Sequence, residues 1–177
     1  MNKTTVLKFG GSSVSTIEKI KSISTSLKDR VEKGEKLVVV VSAMGKTTDS
    51  LLNQVYQITP NPDVRELDTL LAIGEQTTIS LMAITLNDIG VKSRSLTGFQ
   101  AGIKTFGQHT KSKIADIDSI FLKNELNEFD VLVVAGFQGY NENLEITTLG
   151  RGGSDTSAVA LAASLNAPCE IYTDVTG

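Results

Sequence analysis

The stretch 6-VLKFGGSSV-14 joins an apolar strand to two glycines and the approach to a helix. Residues 4–9 are typical of a buried strand, and Ser15 and Glu18 have the S-x-x-E spacing of a helix capping box. Apolar residues then recur on one helical face as far as Gly34, and a glycine is typical of a helix end. The first unit is therefore a strand, a glycine turn and a helix.

Strands and helices continue to alternate along the rest of the chain. The run 37-LVVVVSA-43 is apolar on both faces, which is typical of a central parallel strand covered by helices. The next predicted elements are a helix after Thr48 and Asp49, a helix over 64–89 interrupted at Gly74, a strand over 91–96 and an irregular β-hairpin over 97–114. They are followed by a helix over 119–129, a strand over 131–137, a polar loop over 140–149, a helix after Ser154 and a strand over 169–173. This alternation predicts an α/β fold with a parallel sheet and right-handed crossovers.

Length and charge restrict the class of protein. At 177 residues the chain is expected to form one domain with a substantial core. The net charge of −3 and the pI near 5.2 argue against a surface for nucleic acid or for an anionic membrane. The apolar run 37–41 is too short to cross a bilayer, and no secretory signal precedes the first strand. Together with the single Cys169, these features favour a reducing, cytoplasmic compartment.

Two glycine motifs imitate nucleotide sites without matching them. The stretch 45-GKTT-48 follows an apolar strand like the end of a P-loop, but the position that needs the first glycine holds Val40. Gly150 and Gly152 begin a dinucleotide fingerprint, yet its sixth position is Asp155 and no clear first strand precedes it. The sequence therefore predicts neither a P-loop nor a Rossmann site.

Histidine and cysteine chemistry has little support in this chain. His109 lies in the predicted polar hairpin without a nearby serine motif, and we interpret it as a surface residue rather than a base. One histidine and one cysteine do not make a structural zinc site. Any chemistry must therefore rest on Lys, Arg, Glu and Asp side chains and on backbone amides.

Two glycine-rich turns that each begin a helix are candidate anion sites, because they present free N–H groups and the positive end of a helix dipole. A tight turn alone would explain Gly10 and Gly11 equally well. However, Lys8 ends the apolar first strand, where a buried ammonium is costly without an anionic partner. The loop 150-GRGGSD-155 adds the Arg151 guanidinium, which can hold a carboxylate or a phosphate in a bidentate fork. Two cationic loops in an acidic chain suggest one anionic ligand.

Phosphoryl transfer is a reaction that such loops could support. It requires in-line positioning and charges that neutralise the phosphate oxygens. A hydroxyl acceptor would need a general base, and the sequence offers no convincing one. A carboxylate acceptor is already an anionic nucleophile, so the absence of a base is compatible with an acyl phosphate product.

Six motifs together resemble the ordered signatures of the aspartate kinases, within the amino acid kinase superfamily. They are 8-KFGGSSV-14, 42-SAMGKTTDSLL-52, 73-IGEQ-76, 136-GFQG-139, 147-TTLGRGGSDTSA-158 and 172-YTDVTG-177. The stretch 96-LTGFQAGIKT-105 is more similar to the single-function, lysine-pathway type than to versions fused to a dehydrogenase. The resemblance implies a three-layer α/β/α sandwich with a mostly parallel sheet. It also implies transfer of the γ-phosphoryl group of ATP to L-aspartate, giving 4-phospho-L-aspartate, the first step toward lysine, threonine and methionine.

The resemblance also assigns roles to particular residues. Lys8 and Asp155 would be catalytic, with Lys8 stabilising the transition-state charge and Asp155 orienting Lys8 or the helix start. Arg151 would hold the substrate carboxylate and Glu75 its α-ammonium. The further assignments are Thr48 and Ser42 as substrate contacts, and Lys8, Phe9, Gly10, Gly11, Gly152, Gly153, Thr173 and Asp174 as contacts of the phosphates or the nucleotide. Thr47 remains an alternative to Thr48, and Ser42 could equally cap the loop that follows it. Since no carboxylate cluster is apparent, Mg²⁺ is expected to be held mainly by ATP phosphates and waters.

The family that the chain resembles continues beyond 172-YTDVTG-177. Residues 1–177 are therefore expected to be the N-terminal portion of an amino acid kinase catalytic domain, incomplete at its C-terminus. The rest of that domain and a regulatory region of ACT type would be absent. A homodimer is expected for the longer form. Two alternatives remain open, namely a superfamily member with a glutamate, acetylglutamate or nucleotide acceptor, and a non-catalytic fragment that binds substrate.

Overall fold

The computed structural model describes residues 3–173. The strands are β1 (Thr4–Phe9), β2 (Lys36–Val41), β3 (Ser93–Leu96), β4 (Ile103–Phe106), β5 (Lys113–Ile117), β6 (Val131–Ala135), β7 (Gln138–Tyr140), β8 (Ile146–Thr148) and β9 (Cys169–Tyr172). The helices are α1 (Ile17–Glu32), α2 (Thr47–Ile58), α3 (Val64–Leu71), α4 (Ile73–Asp88), α5 (Ser119–Glu128) and α6 (Gly153–Leu165).

The central sheet has five strands in the order β3-β6-β2-β1-β9, and every neighbouring pair is parallel. Strand β2 lies in the middle, where Val40 is paired with Lys8 of β1 on one side and with Val134 of β6 on the other. The β2 residues 37–41 are fully buried, because helices cover both faces of the sheet. The predicted parallel sheet is confirmed.

The core is divided by this sheet into two layers. On one face, strand residues such as Val39 pack against Ile20 of α1 and Met82 of α4. On the other face, Val40 belongs to a cluster that includes Leu161 of α6 and residues of α5. Burying one such aliphatic side chain contributes about 1.5–3 kcal/mol to folding. The three-layer α/β/α architecture is therefore present, and it places the carboxyl ends of the parallel strands on one edge.

A second, smaller sheet has the strand order β5-β4-β7-β8. The hairpin predicted over 97–114 is confirmed as the antiparallel pair β4–β5, although β5 continues to Ile117. The prediction of a polar loop over 140–149 is wrong, because β7 and β8 pair through Gln138↔Thr148. The turn between them is closed by the Asn141 side chain, whose Oδ1 accepts the backbone N–H of Glu145. Three-residue polar strands lack the apolar periodicity that would have revealed them.

The apolar helical stretch Val64–Asp88 is broken at Ala72, between α3 and α4, and not at Gly74 as predicted. Gly74 lies inside α4, where an added Cβ would be 2.8 Å from the Ala43 Cβ, so the glycine allows close packing against the sheet edge. By length and composition alone this stretch could cross a membrane, but half of it is buried inside the domain. It serves here as a pair of core helices.

Two local predictions need correction. The cap of α1 is Thr16, whose hydroxyl accepts the Lys19 N–H at 3.3 Å, whereas the predicted Ser15 donates to the Ser12 carbonyl. His109 is not a surface residue, because only 16% of its side chain is exposed and its Nδ1 lies 2.7 Å from a buried carboxylate of α3. The polar sequence around it gave no sign that a helix would cover it.

Candidate functional site

The edge where β1, β2 and β6 end is closed by the start of α6 and forms a cavity of about 290 Å³. The carboxyl edge of a parallel sheet is the usual ligand site in α/β folds. The cavity is lined by Gly11, Ser42, Ala43, Gly45, Thr48, Glu75, Phe137, Gly150, Arg151, Gly152, Gly153 and Ser154. All four predicted substrate contacts, Ser42, Thr48, Glu75 and Arg151, are therefore brought together from distant parts of the chain.

Glu75 forms the anionic wall of this cavity. It lies in the first turn of α4 with only 3% of its surface exposed, and its Oε1 accepts the Ala43 N–H at 3.1 Å. Its Oε2 is buried and has no hydrogen-bond partner among the described residues. Burial raises the pKa of Glu75 to about 7, and the hydrogen bond from Ala43 only partly opposes this. A cationic group entering the cavity would satisfy the free oxygen and favour the ionised form.

Arg151 supplies the cationic wall. It lies in the loop between β8 and α6, it is exposed, and its guanidinium forms no ion pair within residues 3–173. An unpaired guanidinium offers a planar fork to a carboxylate or a phosphate. The cavity therefore presents opposite charges on two of its walls.

The start of α6 lies between these walls. Gly152 is the N-cap in the left-handed region at φ 79°, and no side chain caps the helix. An added Cβ on Gly153 would be 2.8 Å from atoms of Leu149 and Phe137, so the loop can pass this point only with glycine. The Ser154 hydroxyl lies 2.8 Å from the Ser42 hydroxyl and connects the helix start to the end of β2. Unbonded amides and the helix dipole make this end attractive to an anion.

Lys8 and Asp155 form an ion pair beside the cavity. Lys8 is only 8% exposed at the end of β1, and its Nζ lies 2.7 Å from Asp155 Oδ1 in the first turn of α6. The same Nζ is 3.5 Å from the position that a Gly10 Cβ would take. An added Cβ on Gly11 would be 2.8 Å from the Ala43 carbonyl oxygen. The anionic partner that the sequence predicted for Lys8 is thus Asp155, and Gly11 allows the turn to pass close to the backbone after β2.

Two neighbouring threonines have different environments. The Thr47 hydroxyl donates to the Met44 carbonyl at 2.7 Å, which is a local bond at the start of α2. Thr48 instead lines the cavity. Of the two, the geometry favours Thr48 as a ligand contact.

The predicted nucleotide contacts are only partly brought together. The Phe9 ring stacks on Tyr172 at 4.7 Å between centroids and does not line the cavity, so only its backbone lies near the glycine turn. Thr173 is exposed directly after β9, at the same edge of the sheet as Lys8. Asp174 lies outside the described residues.

The cavity also contains residues that sequence reasoning did not assign, namely Ala43, Gly45, Phe137, Gly150 and Ser154. Phe137 has a left-handed backbone at φ 68°, which is rare for an aromatic residue, and its N–H donates to the Ser157 hydroxyl at 3.0 Å. The residue type gives no signal of this conformation. The neighbouring glycines in 136-GFQG-139 were the available signal.

Comparison with known proteins agrees with this arrangement. The model of the amino acid kinase family matches residues 3–177. The chain belongs to this family. The curated relatives that the chain matches are longer than the chain itself. An aspartokinase from Geobacillus stearothermophilus is 54% identical over 173 residues, which are 97% of this chain and 42% of the relative. The chain thus spans less than half the length of that curated relative.

Solved structures support the fold of this chain. A crystal structure of aspartate kinase from Synechocystis is 51% identical and has a TM-score of 0.81, over 97% of this chain and 28% of that chain. A crystal structure of E. coli aspartokinase III in complex with aspartate and ADP has a TM-score of 0.85. That match covers 99% of this chain and 50% of the other at 21% identity, so it bears on the fold alone. The predicted family resemblance is confirmed.

Proposed function

We propose that this chain provides the substrate half of an aspartate kinase, which transfers the γ-phosphoryl group of ATP to the side-chain carboxylate of L-aspartate. The observation that carries the proposal concerns two residues of one cavity: within residues 3–173 the buried Oε2 of Glu75 has no hydrogen-bond partner and Arg151 has no ion pair. Leaving a carboxylate oxygen buried without a partner costs stability unless a ligand supplies a donor. The ammonium of an amino acid is such a donor.

An α-amino acid matches both charged walls of the cavity. Its ammonium would contact Glu75, and a carboxylate would contact Arg151 in a bidentate pair. The cavity of about 290 Å³ suits a small substrate. The names of the similar proteins, aspartokinase and aspartate kinase, support L-aspartate as that substrate. The Thr48 and Ser42 hydroxyls would add hydrogen bonds to it.

The reaction needs no general base in this arrangement. An oxygen of the aspartate side-chain carboxylate attacks the γ-phosphorus, the bond from phosphorus to the β–γ bridging oxygen breaks, and ADP leaves with that electron pair. Lys8 would neutralise charge on the transferring phosphoryl oxygens, while Asp155 holds the ammonium in place. The amides of Gly10, Gly11, Gly152 and Gly153 would face the phosphates.

ATP and Mg²⁺ are the cofactors that this chemistry implies. Among residues 3–173, no group of three or more His, Cys, Asp or Glu side chains is placed to hold a metal ion. The Asp155 carboxylate at this edge is engaged with Lys8. We therefore assign most Mg²⁺ ligands to ATP phosphates and waters. Thr173 and Asp174, at and beyond the end of β9, are proposed nucleotide contacts.

The larger setting of the chain is part of the same proposal. Since the chain spans 42% of its Geobacillus relative, residues 1–177 would be the N-terminal portion of a longer kinase domain. The rest of that domain, an ACT-type regulatory region and a homodimeric assembly would belong to the natural protein. The product, 4-phospho-L-aspartate, would enter lysine, threonine and methionine synthesis in the cytoplasm.

A panel of acceptors in a coupled ADP-release assay of the natural protein tests the proposal. L-Aspartate should give rapid ADP release, whereas L-glutamate, N-acetyl-L-glutamate and nucleoside monophosphates should give little. Preference for one of those acceptors would identify another branch of the superfamily. Binding of ATP and L-aspartate by calorimetry without any ADP release would instead favour a non-catalytic binding role.

A further inference from the structure

A buried carboxylate outside the cavity has no part in the proposed chemistry. Asp68 of α3 is completely buried. Its oxygens accept the Thr110 N–H at 3.0 Å, lie 2.7 Å from His109 Nδ1, and accept the Thr148 hydroxyl. A buried carboxyl group is tolerated only when partners such as these satisfy its oxygens. Asp68 therefore fixes helix α3 to the β4–β5 connection and to the end of β8.

A second contact joins the same parts of the molecule. The amide of Gln138 on β7 donates to the Ala72 carbonyl at 2.9 Å, at the corner between α3 and α4. Gln138 is itself 2% exposed, and it is the residue paired with Thr148 in the second sheet. One cross-strand pair of that sheet thus makes two buried hydrogen bonds, one to Asp68 within α3 and one to Ala72 at the α3–α4 corner. We call Asp68, Gln138 and Thr148 the brace.

In the amino-acid sequence, the brace and the residue that it contacts come just before the two charged walls of the cavity. Thr148 ends β8 and is followed by the loop that carries Arg151. Ala72 is the corner residue that precedes the first turn of α4, which carries Glu75. A change in the spacing between the second sheet and the α3–α4 corner would therefore change the spacing between the two charged walls.

We propose that the brace positions Glu75 and Arg151 at the separation that an amino acid substrate requires. Its three members are positioning residues, since none of them lines the cavity. This role rests on the proposed function, because it assigns both walls to one substrate. Displacements near 1 Å can change reaction rates about a hundredfold, so a brace of this kind has a measurable effect.

Asp68 keeps other partners when one bond of the brace is removed. His109 Nε2 lies 3.4 Å from Glu145 Oε2, and Glu145 Oε1 lies 3.8 Å from the Arg65 Nε. When the Thr148 hydroxyl is removed, Asp68 keeps its contacts with His109 and Thr110. Thr148→Val keeps the side-chain shape, so it tests the bond itself.

The matched control is on the same strand. The hydroxyl of Thr147 lies 2.6 Å from that of Thr105 on β4, and both residues are buried. Thr147→Val therefore removes a buried hydroxyl contact within the second sheet without touching α3. Thr148→Ser restores the hydroxyl and serves as the rescue variant. Gln138→Leu removes the bond to the Ala72 carbonyl and also the hydrogen bond that the Gln138 Oε1 accepts from the Gln76 amide of α4 at 3.4 Å.

Steady-state kinetics of the natural protein give the first readout. Thr148→Val and Gln138→Leu should each raise the KM for L-aspartate about tenfold and should raise the KM for ATP less, because the phosphate contacts Lys8, Gly10 and Gly11 lie on β1 and its turn, away from the brace. Thr147→Val and Thr148→Ser should leave the aspartate KM within about twofold of wild type. An unchanged aspartate KM in both brace variants, or an equal rise in Thr147→Val, would overturn the positioning role.

Amide hydrogen exchange gives a second readout that needs no substrate. Thr148→Val should speed exchange in residues 149–153 and 72–76, whereas Thr147→Val should not. If exchange in these segments is unchanged, the brace does not hold them and the inference is wrong. If wild type shows no aspartate-dependent ADP release, the proposed function fails, while faster exchange in both segments would still establish the mechanical link.

Discussion

The raised pKa of Glu75 gives a prediction for aspartate binding with a definite direction. Burial raises that pKa from 4.5 to about 7, so in the unliganded protein the carboxylate is ionised only near and above neutral pH. With a pKa of about 7, roughly one tenth of the molecules carry the charge at about pH 6 and roughly nine tenths at about pH 8. The aspartate ammonium binds the ionised form. The dissociation constant for L-aspartate should therefore rise about tenfold from pH 8 to pH 6.

The same pKa shift predicts that the folded protein becomes less stable as the pH rises, whereas aspartate binding becomes tighter. Between pH 4.5 and about 7 the unfolded chain has released the proton that folded Glu75 keeps, so this residue lowers the free energy of unfolding as the pH rises. The full difference corresponds to about 3 kcal/mol at 1.36 kcal/mol per pKa unit. Above pH 7 the loss levels off. Saturating L-aspartate should reduce this fall in the free energy of unfolding, because the ammonium of the ligand favours the ionised Glu75 carboxylate.

Glu75→Gln isolates both effects. The amide oxygen of the introduced glutamine can still accept the Ala43 N–H, but the side chain neither titrates nor carries charge. L-Aspartate should bind this variant about 10- to 100-fold more weakly at pH 8, and without the pH 6–8 dependence of wild type. The free energy of unfolding of this variant, measured by urea titration with far-UV circular dichroism, should lack the fall of about 3 kcal/mol that wild type shows as the pH rises from 4.5 to about 7.

Glu35→Gln is the matched control. Glu35 is bound to Arg30 at 2.7 Å in an ion pair that the cavity does not include, and the pKa of Glu35 is lowered by that partner. This variant should bind L-aspartate as wild type does. If calorimetry shows equal wild-type affinity at pH 6 and pH 8, or the same pH dependence in Glu75→Gln, the reasoning about Glu75 is refuted.

Three further substitutions test separate parts of the site. Lys8→Ala should lower turnover about 10²- to 10³-fold with little change in aspartate affinity, while Lys36→Ala at the other end of the sheet should leave initial rates unchanged. Equal initial rates for the two variants would contradict the role of Lys8. Thr48→Val should raise the aspartate KM about threefold to tenfold and Thr47→Val should not, and the reverse result would exchange their roles. Gly11→Ala places a Cβ 2.8 Å from a carbonyl oxygen, so phosphate binding and turnover should fall sharply, and normal kinetics would show that the turn tolerates a side chain.

Much of the central sheet could be predicted because its signals are local. A run such as 37–41, apolar on both faces, is compatible with little else than a covered parallel strand. Lys8 was recognised because a charge within an apolar strand requires a reason, whereas Glu75 was assigned through the family resemblance. In the structure Lys8 forms an ion pair and Glu75 forms a wall of the cavity.

The features of the fold and of the site that were not predicted depend on contacts between residues that are distant in the sequence. The β7–β8 pair is stabilised by pairing across the second sheet and by the Asn141 side chain, and neither leaves a periodic pattern in the sequence. His109 looked exposed because its partner Asp68 is 41 residues away in the chain. The left-handed Phe137 has no signal in its residue type at all. Such positions are decided by tertiary packing, which single-sequence reasoning cannot supply.

The most direct test of the two-walled cavity is the kinetic effect of Arg151→Ala in the natural protein, measured by coupled ADP release beside Arg94→Ala. Arg94 is bound to Glu125 at 2.7 Å on another surface and should tolerate the change. Removing the Arg151 guanidinium should raise the KM for L-aspartate about 10- to 100-fold and leave the KM for ATP within about twofold. A rise in the ATP KM alone would contradict the assignment of this cavity to the amino acid.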